Sequence, residues 1–306
     1  AMWNSAWAAL PATDAGDAAT DGFLTPSDVD LTGTYALTRT VELTNDAEGR
    51  YRIVLSVDPP DVALGAHWLP TSPETDALVV RQYFLDRDTE VEATYSIAPL
   101  DDPGPPKPPS PERVARRIRE VAAFTQIGTE LSADFARMLA ESSPNTFSVS
   151  SADNAAAFYP TPDNVYVAGW YRLGPDEALE ISGRPPEGRY WSVLLMSRWM
   201  ESLDHRHHRI SINQHGAVLE PDGSFRILVA GRDPGVANWL DTAGHGEGPV
   251  ILRCVRTDTA PVPTTRVVPF AEVGDALPDT SPRISPADRA RVMEARARGV
   301  AKRFVR

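Results

Sequence analysis

The sequence predicts a mainly β protein with an α-helical insert, an α+β chain of more than one domain. Its 306 residues and ordinary composition are enough for about two domains, each with a sizeable core. Short runs of β-type residues separated by glycine and proline turns occur in both halves, and three stretches of one half recur in the other. We therefore expect two β-sandwich or jelly-roll-like units, produced by an internal repeat and joined by a helical segment.

The internal repeat consists of three stretches that occur twice in the same order. The first is a turn followed by an aromatic residue, an arginine and an aliphatic run; the second is Ala-x-Trp-Leu; the third is an apolar run that ends in arginine. Each copy is typical of a strand, a corner filled by a tryptophan, and a core strand closed by an arginine. The matched pairs are 48–55 with 222–229, 66–69 with 237–240, and 78–81 with 250–253.

Residues 1–102 are predicted to form the shorter β unit, preceded by a helix. Trp3, Trp7 and Leu10 have the i, i+4, i+7 spacing of a short amphipathic helix. The run 31–43 is ambiguous between strand and helix, and the unit is either an incomplete sandwich or uses this run to complete its sheet. The strands expected here are 51–57, 77–85 and 91–97.

Residues 103–145 are predicted as a proline-rich linker and a helical segment. Six prolines between positions 103 and 111 indicate a stiff linker, which is the clearest domain boundary of the chain. Apolar residues at steps of three and four predict a helix from about residue 111 to 141, with Gly128 as a potential break.

Residues 146–260 are predicted as the second β-sandwich, and residues 261–306 as a proline-rich tail with a terminal helix. The tail is expected to be loop-like up to Pro286, after which an apolar stripe and many arginines indicate a helix docked on an acidic body. A separate nucleic-acid arm is the less favoured interpretation. The strands expected in the sandwich are 165–173, 178–182, 190–196, 209–213, 225–230 and 250–256.

Charge and cysteine content limit the classes of partner. The net charge is −12, which argues against nucleic-acid and anionic-membrane partners. The sequence has no apolar run of about 18 residues and no recognisable signal peptide at its start, so we expect a soluble, cytoplasmic protein. Cys254 is the single cysteine, so no intramolecular disulfide forms. It follows an apolar run and is interpreted as a strand thiol, with a catalytic nucleophile as the weaker alternative.

Several stretches resemble a known family. In the second half these are 163–166 (Asp-Asn-Val-Tyr), 189–193 (Arg-Tyr-Trp-Ser-Val) and 237–240 (Ala-Asn-Trp-Leu) before Arg253; in the first half, 78–90 is similar. They resemble the bacterial family catalogued as domain of unknown function 1214, often paired with the related domain 1254. The resemblance implies two β-sandwich domains with a helical insert and no established activity.

The departures from the family pattern matter for where a site is expected. Asp241 stands where the family commonly has proline, and the first copy lacks the Asp-Asn-Val-Tyr stretch. A functional site is therefore expected in residues 155–256.

A histidine-rich stretch at 204–213 is the densest polar group of the sequence. If this stretch is a strand, His205, His207 and Arg209 lie on one face, with the two imidazoles about 7 Å apart. That spacing suits two ligands of one divalent metal, or a catalytic base beside an anion-binding arginine. No third ligand accompanies them, so an exposed basic strand end is the alternative.

Aromatic residues of the second sandwich form another candidate site. Tyr166, Trp170 and Arg172 share one strand face by alternation, and tyrosine and tryptophan at such faces stack against sugars or lipids. Ordinary core and rim packing is the alternative interpretation. The candidate ligand contacts are Tyr166, Trp170, Arg172, Trp191, Trp239 and Arg253.

Three hypotheses of function result. The preferred one is a protein that binds a small hydrophobic or sugar-like ligand in the second sandwich. The alternative is a hydrolase or lyase that uses His205 or His207, with or without a divalent metal as cofactor. The third is a structural or accessory subunit, in which the terminal helix docks on a partner or on a second copy of the chain.

Overall fold

The structure is a computed structural model that describes residues 46–61, 67–73, 75, 78, 80–101, 104–105, 108–142, 144–149, 164–257, 259 and 261–302. The leading helix expected at Trp3, Trp7 and Leu10 and the run 31–43 lie outside the described residues. The chain divides into two units. The first comprises 1–81, 109–128 and 152–163, and the second comprises 82–108, 129–151 and 164–306.

The first unit contains a pair of parallel strands, β1 (Ile53–Ser56) and β2 (His67–Pro70). In this pair Val54 lies opposite Trp68. The indole Nε1 of Trp68 donates a hydrogen bond to the carbonyl oxygen of Ser56 at 3.2 Å. The tryptophan therefore satisfies the last carbonyl of the strand beside it.

The second unit contains two sheets. The strands of the first sheet pair antiparallel, in the order β3-β4-β10-β6-β7. The second sheet has the order β11-β5-β8-β9, and its only parallel pair is β8 with β9. The bounds are β3 Phe147–Val149, β4 Asn164–Arg172, β5 Glu177–Gly183, β6 Tyr190–Leu195, β7 Ser211–Asn213, β8 Phe225–Ala230, β9 Trp239–Asp241, β10 Glu247–Val255 and β11 Thr264–Pro269.

The pair β8–β9 has the same geometry as β1–β2. Leu228 lies opposite Trp239, and these residues match Val54 and Trp68 in the sequence repeat. The indole Nε1 of Trp239 donates to the carbonyl oxygen of Ala230 at 3.0 Å, and Ala230 follows the repeat at the position of Ser56. Strand direction, register and the indole hydrogen bond thus coincide in the two pairs.

Both sheets contribute side chains to one hydrophobic core. Period-two alternation along each strand directs every second residue inward, which explains why the sequence pattern located most of these strands. Trp191 lies within this core and stacks on Phe225 of the other sheet, with ring centroids 5.3 Å apart. The largest fully buried side chains include Tyr171, Phe225, Leu179, Ile181, Leu195 and Leu252.

The outer face of the four-stranded sheet has its own apolar cluster. Trp239 and Leu228 pack there with residues of a short helix, α2 (Val273–Ala276), and with Leu277. The same face carries the buried carboxylate of Glu180, which pairs with Arg226 and Arg266. Trp239 is thus a packing residue of this sheet.

Two long helices complete the described chain. Helix α1 (Pro111–Ser142) begins after Ser110, whose Oγ accepts from the backbone N–H of Arg113 at 3.2 Å. It is continuous, so the break considered at Gly128 does not occur. Within the described residues no helix is both long and apolar enough to cross a bilayer.

The terminal helix α3 (Pro286–Lys302) is attached through arginines. The Nε of Arg289 donates to Asp233 at 2.9 Å, and the Nε of Arg296 donates to the carbonyl oxygen of His205 at 2.7 Å. Arg298 pairs with Asp88 at 2.9 Å. The arginines of this helix therefore donate both to acidic side chains and to backbone carbonyl oxygens.

Two segments differ from the expectation. Residues 257–286 were expected to be loop-like, but Thr264–Pro269 forms β11 because its β-branched residues pair with the exposed edge of β5. The strand predicted over 91–97 is absent, and the described part of 77–85 forms no strand either. Side chains take the place of strand partners there: Gln82 bonds both backbone groups of Ala93, and Asn213 binds the carbonyls of Phe84 and Leu85.

The buried thiol of Cys254 gives a first prediction. Burial in the core raises its pKa to about 11, so the reactive thiolate is scarce at neutral pH. We expect Ellman's reagent to leave the native protein unlabelled at neutral pH and to label the thiol after denaturation in guanidinium chloride. Cys254→Ser is the blank in both conditions. Rapid labelling of the native protein would contradict the buried position.

The two repeat tryptophans give a second prediction because they differ mainly in burial. Trp239 is 8% exposed and Trp68 is 40% exposed. Trp239→Ala should reduce the free energy of unfolding by about 3–5 kcal/mol, and Trp68→Ala by clearly less, as measured by chemical denaturation followed by circular dichroism. Equal losses in the two variants would contradict the structural role given to Trp239.

Candidate ligand-binding site

The outer face of the five-stranded sheet brings several polar and aromatic side chains together. Alternation on β4 directs Val167 inward and Tyr166 outward, and alternation on β10 directs Leu252 inward and Arg253 outward. Arg253 lies opposite Tyr166 on β4 and opposite Ser192 on β6. The centre of this face therefore carries a guanidinium between a phenol and a hydroxyl.

Direct contacts join these side chains into one group. The Cζ of Arg253 lies 5.2 Å from the ring centroid of Tyr166. The amide Nδ2 of Asn164 donates to the phenol oxygens of Tyr83 at 2.8 Å and of Tyr166 at 3.0 Å. The rings of Tyr83 and Tyr190 have centroids 5.3 Å apart. We call Tyr83, Asn164, Tyr166, Tyr190 and Arg253 the tyrosine–arginine cluster.

Arg253 is chemically unusual among these residues. Its Nε is buried and has no hydrogen-bond acceptor within the part of the chain that the structure describes. Its contact with Tyr166 is a cation–π contact, which uses the face of the guanidinium and leaves its N–H groups unused. A buried donor without an acceptor is unfavourable, so this position suits an incoming oxygen atom.

The segment that carries Tyr83 is fixed over the sheet. Asn213 Nδ2 donates to the carbonyl oxygens of Phe84 at 3.0 Å and Leu85 at 2.8 Å. The guanidinium of Arg87 lies over the Phe84 ring, with its Cζ 4.2 Å from the centroid. Asp88 then pairs with helix α3. These contacts hold Tyr83 beside Tyr190.

The six candidate ligand contacts lie in four places. Tyr166 and Arg253 meet in the cluster. Trp170 and Arg172 lie toward the other end of β4, and Arg172 is six residues or roughly 20 Å from Tyr166 along the strand. Trp191 lies in the core and Trp239 on the other sheet.

The carboxylate of Glu247 accepts hydrogen bonds from both Trp170 and Arg172. Its Oε2 accepts from Trp170 Nε1 at 3.1 Å and from Arg172 Nε at 2.7 Å. The hydrogen bond from Arg172 is the main reason that the pKa of Glu247 is lowered. Trp170 is itself buried. Trp170 and Arg172 therefore have a structural role, because their bonds to Glu247 join β4 to β10.

Sequence reasoning did not name Tyr83, Asn164 or Tyr190 as site residues. Asn164 was recoverable, because it has the same strand parity as Tyr166. Tyr83 is 81 residues from Asn164 in the chain, and no local pattern connects them. All three nevertheless lie in stretches on which the family resemblance depends.

The histidine stretch forms a turn and not the strand on which the candidate metal site depended. Asp204 Oδ1 accepts from the backbone N–H groups of Arg206 and His207, and residues 205–207 form a turn. The strand begins only at Ser211. His205 and His207 therefore do not share a strand face, as they would if 204–213 were one strand, and the strand predicted over 209–213 covers only Ser211–Asn213.

The side chains of this turn have separate partners. His207 is exposed, and its Nδ1 lies 2.8 Å from Asp204 Oδ2; this hydrogen bond lowers the pKa of Asp204 to about 2. Arg209 is buried and donates to the carbonyls of Ala237 and Gly216. Burial lowers its pKa to about 10. Within the described ranges, no three His, Cys, Asp or Glu side chains group as a metal site.

A histidine that was not singled out has the better geometry for proton transfer. His208 Nδ1 lies 2.8 Å from Asp241 Oδ2, and both side chains are partly buried. Asp241 Oδ1 accepts from the backbone N–H of Ala243 at 2.8 Å. This carboxylate is held in place and favours the His208 tautomer with its proton on Nδ1.

Comparisons with known proteins place the chain among uncharacterised relatives. A solved structure of an uncharacterized protein from Burkholderia cenocepacia is 35% identical, with a TM-score of 0.71, over 76% of this chain and 63% of that one. The chain thus spans less than two thirds of that relative. A protein from Vibrio parahaemolyticus shares 17% identity, with a TM-score of 0.30, over 52% of this chain and 46% of that one. No curated protein matches.

A family model matches residues 12–84 and 172–259, together more than half of the chain. Its two matched stretches include Tyr83, Tyr190 and Arg253 of the tyrosine–arginine cluster. The chain belongs to the protein family of unknown function DUF1214.

Proposed function

We propose that the second unit binds a small ligand with a hydrophobic or sugar-like ring at the tyrosine–arginine cluster. The observation that carries the proposal is the buried Nε of Arg253, which has no acceptor among the described residues. Folding leaves such a donor without an acceptor only at a cost, and a ligand oxygen would offset that cost. The site is on a sheet whose opposite face packs in the hydrophobic core, and side chains on such a scaffold are well positioned for binding.

The surrounding tyrosines suit a ring-shaped ligand. Tyr83, Tyr166 and Tyr190 are each partly exposed and present flat faces and phenol groups. Such side chains combine apolar contact with hydrogen bonding and lose little conformational entropy on binding. The proposal keeps Tyr166 and Arg253 as contacts, and it assigns Trp170, Arg172, Trp191 and Trp239 to packing that supports the sheets.

Binding can be tested with ring compounds that differ in polarity. We expect at least one of phenol, benzoate, glucose and glucuronate to raise the melting temperature of the protein in a dose-dependent way. Arg253→Met should weaken that binding about ten- to a hundredfold, because a charge-assisted hydrogen bond is lost. Arg184→Met, at an exposed arginine that pairs with Asp222, is the charge-matched control. Equal affinity in Arg253→Met and wild type would contradict the proposal.

A second candidate function is hydrolysis or a lyase reaction, and the bond between His208 and Asp241 favours it. An aspartate on Nδ1 leaves Nε2 free to accept a proton, as in catalytic His–Asp pairs. Under this hypothesis the base is His208, in the stretch where His205, His207 and Arg209 were the expected candidates. A divalent metal held by His205 and His207 stays a proposal that elemental analysis of the purified protein can test.

The enzyme hypothesis predicts a specific ranking of variants on a panel of p-nitrophenyl esters and glycosides. His208→Gln should lower kcat/KM about 100- to 10,000-fold, and Asp241→Asn should lower it as well. His245→Gln changes an exposed histidine and serves as control. Loss of activity in His207→Gln with none in His208→Gln would move the base back to His207. Absence of turnover on the whole panel would count against the hydrolase hypothesis.

We also propose that β1–β2 and β8–β9 are copies of one ancestral unit. The common register and the common indole hydrogen bond support this. A jelly-roll description of each unit and the division at 1–102, 103–145, 146–260 and 261–306 belong to the same proposal. Self-association or an accessory role through helix α3 is an alternative that sizing at high protein concentration can test.

A further inference from the structure

We infer that the ligand of the tyrosine–arginine cluster is a monocarboxylate, with its carboxylate paired to Arg253. The inference rests on the proposed function and adds the chemical class of the ligand. Two properties of the cluster support it: hydrogen-bond donors without an acceptor and a single positive charge.

Arg253 differs from the other buried or half-buried arginines of the second unit. Those arginines have acceptors in the chain, either carboxylates or backbone carbonyls. Arg253 has no hydrogen bond or ion pair with a described residue, although its Nε is buried. The satisfied arginines are Arg209, Arg226, Arg289 and Arg296. The chain as a whole has a net charge of −12, yet the guanidinium of Arg253 has no carboxylate partner among the described residues. This position therefore suits an anionic ligand.

The phenol groups supply further donors. Tyr83 and Tyr166 each use the phenol oxygen to accept from Asn164. A phenol that accepts a hydrogen bond still has its own O–H to donate, and neither O–H has an acceptor within the described residues. The cluster therefore presents the guanidinium of Arg253 and the phenol O–H groups of Tyr83 and Tyr166 as hydrogen-bond donors.

The number of charges distinguishes a carboxylate from a phosphate. The cluster contains one cationic side chain, and a guanidinium binds one carboxylate through two parallel hydrogen bonds. A phosphate dianion would keep an uncompensated charge against a half-buried sheet face. A ligand with a carboxylate attached to a ring would pair its carboxylate with Arg253 and place its ring against Tyr83 and Tyr190. Aromatic acids and sugar acids share this chemistry.

The test compares each acid with its neutral analogue by isothermal titration calorimetry. The probes are benzoate against benzyl alcohol, D-glucuronate against D-glucose, and inorganic phosphate. We expect at least one carboxylate to bind tenfold or more tightly than its neutral analogue. The arm that shows this preference identifies the ligand as an aromatic acid or a sugar acid.

Variants then assign the preference to the cluster. Arg253→Met should abolish the difference between acid and neutral analogue, and Arg253→Lys should restore part of it because the charge returns without the fork. Tyr83→Phe and Tyr166→Phe should each weaken the acid more than the neutral analogue. Arg184→Met should change neither. Circular dichroism and the melting temperature of each variant verify that it folds.

Three outcomes would overturn the inference. If a neutral analogue binds as tightly as its acid, the carboxylate is wrong while the proposed binding function stands. If phosphate binds more tightly than both acids, the ligand class is a phosphate. If no probe binds to the wild-type protein, the proposed function and the inference fail together.

Discussion

The arrangement of the second unit depends on one constraint, the period-two alternation of the central strand β10. Because β10 pairs with β4 on one side and β6 on the other, its residues from Val250 to Val255 each have two neighbours. Val250, Leu252 and Cys254 point into the core, and the residues between them point outward. The same pairing that buries the core strand therefore places Arg253 between Tyr166 and Ser192. A shift of one residue would bury the guanidinium and expose the core.

The sequence could predict those features that are determined by residues close together in the chain. A run of β-type residues between two turns located β8 at its observed bounds. The apolar stripe after Pro286 located helix α3, whose start is capped by Ser285 and Asp288. Alternation placed Tyr166 on the outer face. The strand at 91–97 failed because a strand needs a partner, and Gln82 occupies the backbone groups of Ala93 instead. The site was only half predictable, since Tyr83 reaches it through contacts between distant parts of the chain.

Tryptophan was a misleading guide to the site for a physical reason. Trp170, Trp191 and Trp239 are all buried, and the largest apolar side chain contributes most to stability where water is excluded. The indole N–H groups of Trp170 and Trp239 are satisfied within the fold, by Glu247 and by the carbonyl oxygen of Ala230. A polar atom without a partner points to function more directly than the size of an aromatic side chain does.

Helix α3 and the tyrosine–arginine cluster share one segment of chain. Arg298 and Lys302 of the helix bind Asp88, five residues after Tyr83, and Gly299 packs closely against Arg87. If the ligand proposed for this cluster fixes Tyr83, and the segment 83–88 couples Tyr83 to the helix, binding must tighten the docking of the helix by the same factor by which docking tightens binding. Ligand binding at the tyrosine–arginine cluster would then be detectable as slower hydrogen exchange along helix α3.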